Sequence, residues 1–304
     1  MSEITLFHAK TIVTMDPNVP TATHVAVRDG RILAIGDATC ADQWGYVTHD
    51  ASLAEAVLMP GLVEGHAHMM AGAIWEYTYI GYHDRIDPDG RLWSGLSSLQ
   101  DVVARLSEIE ATLPAHAPLI GWGFDPIFLR DVRLSRVHLD KVSTTRPIAI
   151  LFSNFHLMCV NSAALDLVGY SEVTEVEGVV IGPDGALTGE LQEMAAMFPI
   201  MRRLGIDFRA LSQKQSAIRS YAKVATRAGV TTVTDLFSQL EDDDLDVMLS
   251  VTGEKEFLLR IVPALGASGD PDSLAARALR LKAKSTDKVR LGAVKLMTDG
   301  SIQG

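Results

Sequence analysis

The chain of 304 residues reads as an α/β protein in which an all-β segment precedes a parallel sheet of alternating strands and helices. Three observations predict this. Residues 4–15 (ITLFHAKTIVTM) and 24–35 (HVAVRDGRILAI) are rich in β-branched residues, and Asp29-Gly30 between Val27 and Ile32 is a type I′ hairpin signal. From Phe208 onward, helical and strand patterns alternate, which calls for parallel pairing through helical crossovers. Between these regions, Leu62 to His68 reads as a strand whose alternation sends His66 and His68 to the same side.

Taken in order, residues 1–57 form an all-β accessory segment, with 36–57 mostly loop and one short returning strand. Residues 58–304 form the second domain, opened by the Pro60-Gly61 breaker and the His-x-His strand. Residues 75–207 read as a long insertion with its own elements. Leu99, Val102, Val103, Leu106, Ile109 and Leu113 make a helical stripe halted by Pro114, and 119–124 and 147–152 are short buried strands. Asn161 to Val168 is a short helix stopped by Gly169. Then come a helix at 208–228, a strand at 231–237, a helix at 242–251, a strand at 257–265, a helix at 271–283 and a strand at 289–296. Counting the His-x-His strand as first gives four strands of barrel type, and Lys295 falls at the end of the fourth.

Composition narrows the function. With 47% hydrophobic and 21% charged residues the chain is globular, and a net charge of −11 without a Lys/Arg cluster argues against nucleic acid or an anionic membrane as partner. A neutral or cationic small molecule suits it better. The start, MSEITLFHAK, lacks a secretory pattern and no apolar run approaches the roughly 18 residues that span a bilayer, so the expected location is cytoplasmic. Cys40 and Cys159 are far apart and predict reduced thiols rather than a disulfide or a thiolate metal site.

The candidate chemistry starts from the histidine pair. Nine histidines in 304 residues make one chance His-x-His about a one-in-four event. The context adds weight: a breaker, a short apolar run, the pair, then the small residues Ala71, Gly72 and Ala73. Neutral imidazoles on one face suit a divalent ion, with zinc first. Lys295 lies in an apolar strand, where it is either ion-paired or chemically special. Asp299 either orients a ligand or forms an Asx turn before Gly300, and Asp235 supports a neighbour or caps a helix. His156 is either a substrate-facing donor or a satisfied core histidine. Trp122 and Phe124 either wall a pocket or fill the core. Glu190 and Glu193, three apart on an expected helix, read as a solvated face. Gly121-Trp122-Gly123 lacks the rest of a dinucleotide fingerprint.

MPGLVEGHAH at 59–68 resembles the first-strand signature of the amidohydrolase superfamily of metal-dependent hydrolases, whose usual form has Asp where Glu64 stands. GWGFD at 121–125, HLMCVNSAAL at 156–165, LTGELQEMA at 187–195, GVTTVTD at 229–235 and VKLMTDGS at 294–301 resemble, in this order, the branch that includes N-substituted formamide deformylases. The resemblance implies a (β/α)8 barrel, of which this chain holds about the first half, and the N-terminal part of a small β-sandwich. It implies one or two divalent ions held by His66, His68 and Lys295, the lysine carboxylated so that its carbamate bridges the metals. Substrate-binding roles fall to His156 and Trp122. The activity implied is hydrolysis of a non-peptide carbon–nitrogen bond through metal-activated water, with ester, lactone or carbamate bonds open to the same machinery. Two further metal-binding histidines and the general-base aspartate would lie beyond Gly304. The 304-residue chain alone is therefore expected to be inactive, a fragment or half of a split assembly that pairs with a complementing C-terminal half or forms a homo-oligomer.

Overall fold

A computed structural model describes residues 3–129, 133–267 and 269–296. The chain divides into two units, 1–62 and 63–304, a few residues past the boundary read from the sequence. In the first unit, β1 (Thr5–Val13), β2 (Thr21–Arg28), β3 (Arg31–Gly36) and β4 (Thr48–Leu58) make one sheet of order β3-β2-β1-β4. The β2–β3 turn carries positive φ at both Asp29 (52°) and Gly30 (70°), the backbone that a type I′ turn requires. Leu6 and Ala26 pack with Ile4 and Ala41, while Ala9, Ile12 and Val25 form a second cluster. The expected loop over 36–57 is corrected here: β4 runs eleven residues, parallel to β1. It is an edge strand of half-exposed and exposed residues, so it lacks the apolar run by which a buried strand is recognised.

The second unit contains two main sheets. Its elements begin with β5 (Leu62–Ala67), α1 (Met70–Ala73), β6 (Thr78–Tyr79), β7 (Arg85–Ile86), β8 (Leu92–Trp93), α2 (Leu99–Glu110) and β9 (Leu119–Phe124). They continue with α3 (Arg136–Asp140), β10 (Ile148–Phe152), β11 (Leu157–Val160), α4 (Ser162–Val168), β12 (Val179–Ile181), β13 (Leu187–Gln192) and α5 (Glu193–Leu204). The six-stranded sheet, of order β12-β13-β11-β10-β9-β6, is the body of the predicted insertion. Its central strands β9 and β10 are buried on both faces, with Ile120, Trp122, Ala149 and Leu151 on one side and Leu119, Phe124, Ile148 and Ile150 on the other. Asn161 caps α4 by accepting the Ala164 N–H at 3.1 Å, and Gly169 ends it in the left-handed region.

Then follow α6 (Phe208–Ser212), α7 (Gln215–Arg227), β14 (Val230–Ser238), α8 (Asp242–Thr252), β15 (Arg260–Gly266), α9 (Pro271–Lys282) and β16 (Ala293–Lys295). The second sheet has the order β16-β15-β14-β5, with β14, β15 and β16 parallel. Ile218, Ala222 and Ala225 of α7 and Leu245, Met248 and Val251 of α8 pack on Val233 and Ile261, forming its core. Two expected elements are interrupted. The helix over 208–228 is two helices, because Lys214 is extended between them. The strand over 289–296 shrinks to Ala293–Lys295 with a single bridge at Val289, since Gly292 at φ +103° turns the backbone out of strand geometry. Among the described residues, no helix is long and apolar enough to cross a membrane.

Candidate functional site

The cleft is assembled where β5 ends and α1 begins. Gly72 of α1 lies against α7 so closely that an added Cβ would collide with the Ala217 carbonyl oxygen and approach the Tyr221 nitrogen to 2.6 Å. The small residues after the His-x-His pair therefore let α1 dock, which fixes Met69 and Met70 at the end of the strand. His66 and His68 stand together as their alternation predicts, with ring centroids 5.4 Å apart and planes near-perpendicular at 77°. His66 is exposed and its backbone N–H donates to Glu64 Oε1 at 3.0 Å.

Asp235, near the end of β14, faces this pair. Its Oδ1 accepts the buried Met69 N–H at 3.3 Å and lies 3.8 Å from His68 Nδ1, while its Oδ2 accepts the Ser238 hydroxyl at 2.7 Å. The carboxyl is 7% exposed, and burial pushes its pKa up against the opposing pull of Ser238, His68 and Met69. Burial pushes His68 down, as do His66 and Lys295, against the charge of Asp235. The downward shift favours the neutral imidazole of His68, the form with a lone pair to give to a metal. The sequence reading gave Asp235 a supporting or capping role; its place beside His68 makes it part of the site.

Lys295 ends β16 in register with Gly266, and its charge acts on His68. It is half-buried and its neighbours Ala293 and Val294 are exposed, which corrects the expectation of a lysine enclosed in an apolar strand. Asp299 lies outside the described residues. The donor types present, two imidazoles and a carboxylate, fit a divalent ion. Their gathering is partial: among the described residues, no three His, Cys, Asp or Glu side chains are close enough together to hold one.

A cleft of about 450 Å³ opens beside this group. His68 and Asp235 are at one part of its lining, and His156 with Asn154 and Phe155 is at another; Met69, Phe208, Leu240 and Met248 supply apolar wall. His156 Nδ1 sits 3.0 and 3.2 Å from the two oxygens of Glu193. The expectation that Glu190 and Glu193 share a solvated helical face is corrected at Glu190, while Glu193 is exposed at the start of α5. Glu190 lies in β13, 4% exposed and 3.2 Å from Arg133 Nε, whereas Glu193 turns the chain from β13 into α5. Phe155 (φ 58°) and Glu193 (φ 59°) both occupy the left-handed region, which costs a non-glycine residue on the order of 1–2 kcal/mol. Trp122, expected against substrate, stands apart from the cleft lining. It is 7% exposed, its ring 5.0 Å from both Trp75 and Tyr79, and its Nε1–H has no partner among the described residues.

Comparison with known proteins assigns this α/β unit to a family. A family model for amidohydrolases matches residues 51–304, so the chain belongs to the amidohydrolase family. Its relatives include "Protein LONG AFTER FAR-RED 3" of Arabidopsis thaliana, 26% identical over 96% of this chain and 49% of that protein. The putative amidohydrolase YtcJ of Bacillus subtilis is 30% identical over 62% of this chain and 35% of its own length. The N-substituted formamide deformylase of Arthrobacter pascens is 28% identical over 64% and 35%. Thus the chain spans about half the length, or less, of these relatives. An uncharacterized metal-dependent hydrolase of Pyrococcus horikoshii shares the fold with a TM-score of 0.61 at 16% identity, covering 99% of this chain and 56% of that one.

Proposed function

We propose that this chain carries the first metal-binding strand and the substrate cleft of a metal-dependent hydrolase that cleaves non-peptide carbon–nitrogen bonds. The observation that carries the reading is His68 3.8 Å from buried Asp235 at a cleft wide enough for a small molecule. His66 and His68 would hold a divalent ion such as zinc, with Lys295, as its carbamate, the expected third ligand. When bound, the ion lowers the pKa of a water molecule and polarises the substrate carbonyl. Asp235 fixes the turn that presents His68 by accepting the Met69 N–H, and its charge opposes the cations nearby. The apolar wall of Met69, Phe208, Leu240 and Met248 excludes water around an apolar substituent, and His156 meets the substrate's polar part. The name of the Arthrobacter relative, which acts on N-substituted formamides, supports an amide-type bond over an ester.

The test is elemental analysis of the purified protein and its His66→Ala/His68→Ala variant after zinc loading, together with hydrolysis of a panel of formamides, amides, esters and lactones by a preparation that also supplies the two further histidines and the aspartate the resemblance implies. Metal bound by the parent and lost from the variant, with turnover of amides, is expected. Equal metal in both would overturn the site, and turnover of esters alone would overturn the bond.

A further inference from the structure

We infer that His156, held by Glu193, selects substrates that carry an N–H group, its Nε2 accepting a hydrogen bond from the ligand in the cleft. The inference rests on the hydrolase reading above and adds a specificity determinant to it. It starts from the ladder. Strands β11 and β13 are antiparallel with Leu157 opposite Gln192, so His156 and Glu193 form the next rung. The Glu193 N–H donates to the His156 carbonyl at 2.8 Å and extends the ladder by that step. Their side chains meet on one side, with Nδ1 at 3.0 and 3.2 Å from the two carboxylate oxygens.

Chemistry then sets the ring's tautomer. An ionised carboxylate only accepts, so whenever the imidazole is neutral its proton sits on Nδ1 and Nε2 is left with its lone pair. Among the described residues, no protein group hydrogen-bonds to Nε2, and His156 lines the cleft. The two carboxylates that share the lining are engaged: Asp235 accepts from Met69 and Ser238, and Asp244 accepts from the Glu241 N–H at 3.2 Å. Asn154 Oδ1 is likewise taken, by the His156 N–H at 3.0 Å. Left-handed backbone occurs at Glu193 itself and at Phe155, the residue before His156, so the fold tolerates strain at this contact. A ring oriented this way favours a ligand N–H over the same ligand without it, because the second leaves a desolvated acceptor unpaired.

The probes are N-(2-phenylethyl)acetamide and 5-phenylpentan-2-one, the ketone in which CH2 replaces the N–H at nearly the same shape. Binding of each to zinc-supplied protein is measured by calorimetry for the parent, His156→Ala, Glu193→Ala and Glu193→Gln, with circular dichroism and zinc content as controls. In the parent the amide should bind on the order of tenfold or more tighter than the ketone. His156→Ala should bring the ratio to about one with zinc unchanged; Glu193→Ala should lower it, and Glu193→Gln, which keeps an acceptor for Nδ1, should retain most of it. An unchanged ratio in folded His156→Ala with zinc retained overturns the inference and leaves the hydrolase reading standing. Failure of the zinc-loaded parent to bind the amide also overturns it. Failure of the parent to take up zinc counts instead against the hydrolase reading.

Discussion

Replacing Asp235 separates two effects that the geometry combines at one carboxylate. Met69 is 1% exposed and its N–H donates to Oδ1, while the Ser238 hydroxyl donates to Oδ2. Asp235→Asn can keep both partners, accepting from Met69 through its carbonyl and donating to the Ser238 oxygen through its amide. Asp235→Ala leaves a buried N–H unpaired, which costs about 1–3 kcal/mol. Urea unfolding at pH 7 in the presence of a chelator, so that metal binding does not contribute, should place the alanine variant below the asparagine variant by that amount. Charge gives the second effect. Burial holds the Asp235 pKa above its ordinary 3.8, so between that value and the raised one the folded protein binds more protons than the unfolded chain. Stability from this group is fully present below 3.8 and is lost as pH rises through the folded pKa. The wild type should therefore lose ground to Asp235→Asn on going from acid to pH 7, and the gap should narrow on acidification. Equal stability of the alanine and asparagine variants, or a gap independent of pH, would refute this account of the carboxylate.

Three further outcomes follow from the same packing. Gly72→Ala should destabilise by about 1–3 kcal/mol or more through its clash with the α7 backbone, read as a shift of the urea midpoint; an unshifted midpoint would mean that α1 does not sit on α7 as described. In the zinc-loaded parent, 13C-labelled bicarbonate should give a carbamate signal that Lys295→Ala lacks; the same signal in both would exclude Lys295 as its site. Burial pushes the Cys159 thiol far above its usual range, so a thiol reagent should modify Cys40 in the native protein and reach Cys159 only after unfolding.

The sequence carried those parts of the fold that rest on local rules. Asp29-Gly30 marks its turn because positive φ at two successive positions is a demand few residue pairs meet, and Gly169 marks the end of α4 for the same reason. The strands β9 and β10 were legible as short apolar runs because both of their faces are buried. By contrast β4, an edge strand with five exposed residues, six half-buried ones and none buried, carries no apolar run and no clean apolar–polar alternation in its sequence. Gly292 hid the break in the last strand, since a lone glycine within a β-branched stretch does not reveal whether its φ is positive.

In the site, spacing along one strand was readable and pairing between strands was not. His66 and His68 share a side because they stand two positions apart in one run of chain, His66 in β5 and His68 just past its end, a fact local to the sequence. Asp235 reaches His68 across 167 positions of sequence, and only the adjacency of β14 and β5 brings it there. Glu193 reaches His156 through the register of β11 on β13, which a one-residue slip would send to the opposite face. One signal could have flagged it: Glu193 follows a strand whose register partner ends beside His156, so the correct assignment of 187–192 as strand rather than helix turns a solvated glutamate into the partner of a cleft histidine. The placing of LTGELQ in a strand and the meeting of Glu193 with His156 are thus a single fact of register, since Glu193 is both the residue after β13 and the first of α5.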